Sequence, residues 1–130
     1  MRRLGVLLVI ATLVLAACGG DDAPENATAE PATASAGEID VTATPTSADE
    51  RTVIRVVFDT HSVDLDFDPV EIAMLEVEGR ELRAISWDGP GPGGHHREGD
   101  LSFDVDASPT DMALTLDLDP VVTLTWNEED

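Results

Sequence analysis

Apolar residues recur at every second position in most segments after residue 51, and this pattern limits the fold more than any other feature. The alternating positions are Ile54/Val56/Phe58, Ala73/Leu75/Val77, Leu82/Ala84, Leu101/Phe103/Val105, Leu114/Leu116/Leu118 and Val122/Leu124/Trp126. Successive side chains of a β-strand point to opposite faces, so each segment buries one face and exposes the other. The pattern predicts six or seven short strands in an all-β fold, a small antiparallel β-sandwich, immunoglobulin-like in outline, over residues 51–130. One turn between Pro69 and Leu75 is the best candidate for a helix.

The polar partners in these segments are mostly acids. The chain has 27 Asp and Glu residues against 7 arginines and no lysine, which gives a net charge of −20. A protein that binds duplex nucleic acid needs a concentrated basic face, so this class of partner is excluded. The single cysteine also excludes an internal disulfide framework and a four-cysteine zinc site.

Residues 1–17 have the pattern of a signal peptide. Arg2 and Arg3 precede an apolar run, Leu4–Leu15, that is shorter than the roughly 20 residues of a membrane-spanning helix. The run ends in LAAC at residues 15–18, which resembles the lipobox of prokaryotic lipoproteins. The resemblance implies cleavage before Cys18 and a lipid on its sulfur, which anchors the chain at the extracytoplasmic face of the cell membrane. The alternative is an ordinary cleavage site beside a buried thiol.

The stretch that follows is polar and acidic. Residues 19–50 consist of Ala, Thr, Ser, Pro and acids, and their only large aliphatic residues are Ile39 and Val41. Such a composition is typical of disordered segments. The sequence therefore predicts three parts: a signal peptide at 1–17, a lipidated cysteine with a disordered acidic linker at 18–50, and a β-sandwich domain at 51–130.

Two segments do not follow the strand pattern, and they hold all three histidines. They read THSVDLDFD at residues 60–68 and SWDGPGPGGHHREG at residues 86–99. Together with LSF at 101–103, they resemble a recurrent domain of prokaryotic exported proteins and lipoproteins with no established activity. The resemblance spans roughly Val53 to Trp126. It implies that the two segments act together, and it supplies no mechanism.

The histidines raise the hypothesis of a copper or zinc site. His95 and His96, in a glycine-rich loop, have the donor type that Cu(II) and Zn(II) prefer, and His61 or a carboxylate such as Asp59, Asp64 or Asp88 would complete the ligand set. Adjacent residues on a regular strand face apart, so one ion requires an irregular loop. The alternative is structural: the histidines bond to backbone groups, and the glycines serve tight turns.

A second metal hypothesis concerns the alternating carboxylates Asp64, Asp66 and Asp68. Their oxygens suit calcium, but an EF-hand loop needs glycine at its sixth position and glutamate at its twelfth. Counted from Asp64, those positions hold Pro69 and Leu75. The pattern favours a strand with acidic side chains on its solvent-exposed face.

No motif in the sequence indicates catalysis. The chain lacks a GxSxG elbow, an HExxH helix, a phosphate loop and a dinucleotide fingerprint. Ser62 beside His61 is not a catalytic pair, since neighbours on a strand point apart. We therefore expect a non-enzymatic lipoprotein that acts as a binding or accessory module, with the membrane as one partner and an envelope protein as another. The alternative is a protein that binds copper or zinc through His61, His95, His96 and Asp88.

Overall fold

The computed structural model describes Ala27 and residues 29–48, 51–105 and 111–127. These residues form nine strands and one helical turn. In chain order they are β1 (Ala32–Ala36), β2 (Ile39–Ala48), β3 (Arg51–Thr60), α1 (Pro69–Ile72), β4 (Ala73–Val77), β5 (Arg80–Arg83), β6 (Ser86–Asp88), β7 (His96–Phe103), β8 (Asp111–Leu116) and β9 (Val122–Asn127). The predicted signal peptide and Cys18 lie outside the described residues.

The strands form two antiparallel sheets that pack face to face. One has the order β1-β2-β3-β7-β6, and the other has the order β5-β4-β8-β9. The predicted β-sandwich is thus confirmed. The alternating apolar residues face inward, and Ile54, Val56, Phe58, Leu75 and Leu114 are fully buried between the sheets. Burial of these side chains removes apolar surface from water, which is the main driving force for folding.

The sandwich begins earlier in the chain than the sequence indicates. Residues 32–48 form β1 and β2, and β2 pairs with β3 along ten residues. The prediction of a disordered linker up to residue 50 is therefore wrong for this stretch. Small residues suffice here, because Ala36, Val41 and Ala43 fill the inward positions and are at most 2 % exposed. Residues 18–26, 28, 49 and 50 of the predicted linker lie outside the described residues.

The single helical turn occurs where the sequence places it, at Pro69–Ile72. Proline at the first helical position has no N–H that needs an intrahelical acceptor. The carboxylate of Asp68 accepts a hydrogen bond from the backbone N–H of Val70 at 3.0 Å and caps the turn. Among the described residues, no helix combines the length and apolar character that crossing a bilayer demands.

Four connections lie together at one end of the sandwich, which we call the loop end. They are the Gly37–Glu38 turn between β1 and β2, the loop 61–68 after β3, the loop 89–95 before β7, and the loop 117–121 between β8 and β9. The turn adjoins loop 117–121, since a Cβ on Gly37 would lie 3.5 Å from the carbonyl oxygen of Asp119. Loops 61–68 and 89–95 contain most of the two segments that depart from the strand pattern.

Candidate functional site

Loops 61–68 and 89–95 are joined by backbone hydrogen bonds. The N–H of Leu65 donates to the carbonyl of Gly94 at 2.9 Å, and the N–H of Gly93 donates to the carbonyl of Leu65 at 2.7 Å. The Asp64 carboxylate accepts a third bond from the N–H of Gly94 at 3.0 Å. Gly93 and Gly94 have φ angles of 110° and 87°, which other residues rarely adopt. The glycine pair thus permits a backbone path that brings the two loops into register.

Arg97 connects the same two loops from inside the sandwich. It is the second residue of β7 and only 1 % of its surface is exposed. One guanidinium nitrogen, Nη1, donates to the carbonyls of Phe67 at 2.7 Å and Leu65 at 3.2 Å. The other, Nη2, donates to the carbonyl of Pro90 at 2.8 Å. A single buried cation therefore holds backbone from both loops.

Aromatic rings enclose the guanidinium of Arg97. Its Cζ lies 5.4 Å from the ring centre of Phe67 and 5.5 Å from that of Trp87, within the range of cation–π attraction. Phe58 packs edge-on against Phe67, with their ring centres 5.0 Å apart. The indole N–H of Trp87 donates to the same Pro90 carbonyl at 2.9 Å. The Pro90 carbonyl thus accepts bonds from both side chains, which fixes the start of loop 89–95.

Two glycines make room for the Trp87 ring. A Cβ on Gly89 would lie 2.8 Å from the ring, and a Cβ on Gly99 would lie 2.8 Å from the ring and 2.7 Å from the Asp88 carbonyl oxygen. All three distances are too short for a side chain at either glycine without movement of its neighbours. This contact explains why glycine stands on each side of the indole, in loop 89–95 and on β7.

Among the residues that the structure describes, no carboxylate lies within hydrogen-bond distance of the Arg97 guanidinium. Burial lowers the pKa of Arg97, and the more distant carboxylates of Asp68 and Asp66 partly offset that effect. A guanidinium remains charged even so, since its ordinary pKa is far above neutral pH. Its buried Nε has no hydrogen-bond partner among the described residues. The three carbonyls and two rings therefore compensate most, but not all, of its lost hydration.

Arg97 is not among the predicted site residues, although the sequence contains a signal for it. Arg97 has the same strand phase as Leu101 and Phe103, so the alternation places an arginine at an inward position of β7. An inward arginine needs acceptors, and the neighbouring loops supply them.

Of the predicted metal ligands, the structure places only His96 in contact with a carboxylate. Its Nδ1 lies 2.6 Å from Oδ1 of Asp59 on β3, and its Nε2 lies 3.7 Å from Oε1 of Glu98 on β7. The hydrogen bond to Asp59 is the main cause that raises the pKa of His96. The two carboxylates contact opposite ring nitrogens, so this arrangement does not direct all three groups at one ion.

The other predicted ligands lie on separate elements. The carbonyl of His95 accepts a bond from the N–H of Thr60 at 3.0 Å, which brings His95 beside the start of loop 61–68, where His61 lies. Asp88 is on β6, on the far side of β7 from β3. Across residues 29–48, 51–105 and 111–127, no three His, Cys, Asp or Glu side chains form a group that could hold a metal ion. The copper or zinc site remains a prediction.

Two of the three carboxylates considered for calcium bind backbone groups. Asp64 accepts the N–H of Gly94, and Asp68 accepts the N–H of Val70. Asp66 is exposed. The carboxylates of Asp64 and Asp68 therefore shape the loop and cap α1.

Comparison with protein families, curated proteins and solved structures finds no match to this chain.

Replacement of Arg97 tests its role as the link between the loops. Arg97→Met keeps an unbranched apolar stem but removes three hydrogen bonds from a charged donor to the loop carbonyls, so we expect the free energy of unfolding to fall by about 2–4 kcal/mol. Urea denaturation measures this change. Amide hydrogen exchange should also accelerate at Leu65 and Gly93, whose N–H groups donate the backbone hydrogen bonds between the two loops. The matched control is Arg80→Met on β5, where the arginine is exposed and the change should be within about 0.5 kcal/mol. Equal stability of both variants would contradict the role of Arg97 as the link between the loops.

The pair formed by His96 and Asp59 predicts a pH dependence. Because the pKa of His96 is raised in the folded state, the pair stabilises the fold below the ordinary histidine pKa of about 6.5, and this contribution is lost as pH rises through the raised pKa. NMR titration of the His96 ring should give a pKa above the ordinary value. Asp59→Asn should lower it, while Asp111→Asn on the other sheet should not. An unchanged His96 pKa in the Asp59 variant would show that the hydrogen bond is absent in solution.

Proposed function

We propose that this chain is a membrane-anchored lipoprotein whose small β-sandwich serves as a binding or accessory module at the extracytoplasmic face, with the loop end as its binding surface. The anchor is the lipid on Cys18, inferred from LAAC at residues 15–18. Each buried methylene of an acyl chain contributes about 0.8 kcal/mol to membrane attachment, so two chains on one cysteine hold a protein stably. The proposed partners are the membrane and an envelope protein.

The observation that carries the binding role is the bracing of the loop end by Arg97. Loops without regular structure ordinarily lose conformational freedom when they bind, and this loss weakens affinity. Here three bonds from Arg97 and two between the loops fix the backbone in advance. Loops positioned by a rigid scaffold are where binding residues concentrate in β-sandwich domains. The braced loops expose His61, Ser62 and Val63, the last of which is a 37 % exposed aliphatic residue.

The engagement of polar groups at the loop end favours binding over catalysis. Asp64 and Asp68 accept backbone N–H bonds, and His96 contacts Asp59. Carboxylates used in this way maintain the shape of a loop. A general acid or base instead needs to reach a reacting group on a substrate. The polar groups that the loops leave exposed suit contacts with a partner.

The second candidate function is binding of divalent copper or zinc through His61, His95, His96 and Asp88. One observation favours it: the bond from Thr60 N–H to the His95 carbonyl brings His61 and His95 to neighbouring positions at the loop end. A metal would have to compete with Asp59 for Nδ1 of His96 or use the other ring nitrogen, which faces Glu98.

Thermal denaturation separates the two candidates. A metal site raises the melting temperature by mass action when Cu(II) or Zn(II) is added, and the double variant His95→Ala, His96→Ala abolishes that rise. Under the binding-module proposal, we expect both ions to leave the melting temperature unchanged. A rise that depends on the two histidines would establish the metal function instead.

Site-specific photo-crosslinking in the anchored chain tests the binding-module proposal. A crosslinker in place of Ser62, in loop 61–68, should give a discrete adduct with an envelope protein. The matched control replaces Thr125, which is exposed on β9 and lies away from the loop end, and should give none. In the variant Cys18→Ser, the chain should leave the membrane fraction, and the Ser62 adduct should decrease. Equal adducts from positions 62 and 125, or no adduct from either, would count against the loop end as the binding surface.

A further inference from the structure

The path by which the chain enters the sandwich defines the orientation of the module on a membrane. Ala27 pairs with Thr46 in an isolated antiparallel bridge, near the end of β2 that lies away from the loop end. The carbonyl of Glu30 accepts a bond at 3.0 Å from the indole N–H of Trp126, near the corresponding end of β9. These two contacts, one to each sheet, place Ala27 and Glu30 at the end opposite the loops. We call it the entry end.

From this geometry we infer that the anchored module stands with its entry end toward the lipid and its loop end outward, so that a partner meets loops 61–68 and 89–95 on the side facing away from the membrane. This inference rests on the proposed function, because it requires the lipid on Cys18. It specifies which surface of the module faces the membrane and which faces a partner.

The length of chain between the lipid and the sandwich supports this orientation. The nine residues 19–27 connect Cys18 to the bridge at Ala27, and whatever their conformation they span at most about 30 Å. The ten residues of β3 run from the entry end to the loop end, also about 30 Å. An inverted module would need the connecting residues to run along the full length of the sandwich, almost completely extended. That state costs chain entropy, whereas the upright state does not require it.

Energy transfer to labelled lipid measures this orientation in the full lipoprotein reconstituted into phosphatidylglycerol-containing vesicles. A donor dye is attached to one introduced cysteine at a time, and the acceptor is carried by a headgroup-labelled lipid. Arg80→Cys and Asp111→Cys report on the entry end, while Ser62→Cys and Val121→Cys report on the loop end. All four positions are exposed, and each end is sampled at two independent sites. We expect a greater loss of donor emission from both entry-end sites than from both loop-end sites.

The controls separate this inference from the anchoring on which it depends. Mass spectrometry of each preparation shows whether Cys18 carries its acyl chains, and an unacylated chain would overturn the anchor and the orientation together. Acylated protein with equal donor losses at all four sites, or a greater loss at the loop end, would overturn the orientation alone. Insertion of about twenty Gly and Ser residues after Gly20 frees the module from the length limit and should narrow the difference between the two ends.

Discussion

The buried guanidinium of Arg97 is the interaction on which the loop end depends. A cation inside a β-sandwich loses most of its hydration, and that loss is tolerated only when polar acceptors replace the water. In this chain the acceptors are carbonyls of Leu65, Phe67 and Pro90, so loops 61–68 and 89–95 must lie where their backbones reach the guanidinium. The requirement of one side chain thereby determines the path of two loops.

The first two strands of the sandwich are built with small side chains. They contribute Ala36, Val41 and Ala43 to the interior, and the backbone pairing of β1 with β2 and of β2 with β3 compensates for this small apolar area. The rings of Phe58, Phe67 and Trp87 meet beside Arg97, whereas Phe103 and Trp126 are buried toward the entry end. Among the described residues, the buried cation distinguishes the loop end from the rest of the interior.

The sequence predicts the strands well and the candidate site poorly, for physical reasons. Period-two alternation is a local property, and it identified the sandwich after residue 51. The sequence did not indicate strands β1 and β2, because Ala and Thr carry little apolar area. Composition alone does not distinguish a strand of small residues from a disordered segment. The joining of the two loops depends on contacts between distant residues, such as the bonds from Arg97 to Leu65 and Phe67. In the sequence, only the inward strand position of Arg97 on β7 indicated these contacts. The neighbouring histidines, which the metal hypothesis relied on, are mostly exposed, and the side chain of His96 is 59 % exposed.

The entry of the chain through β1 has a mechanical consequence. If a partner grips the loop end while the lipid holds Cys18, tension between them runs along the strand axis, from the start of β1 toward the loops. The hydrogen bonds that join β1 to β2 are perpendicular to that axis. They are then loaded in shear and resist as a group, instead of opening one after another as in a peeled ribbon. The edge strand nearest the predicted anchor would then bear the load without unfolding of the domain.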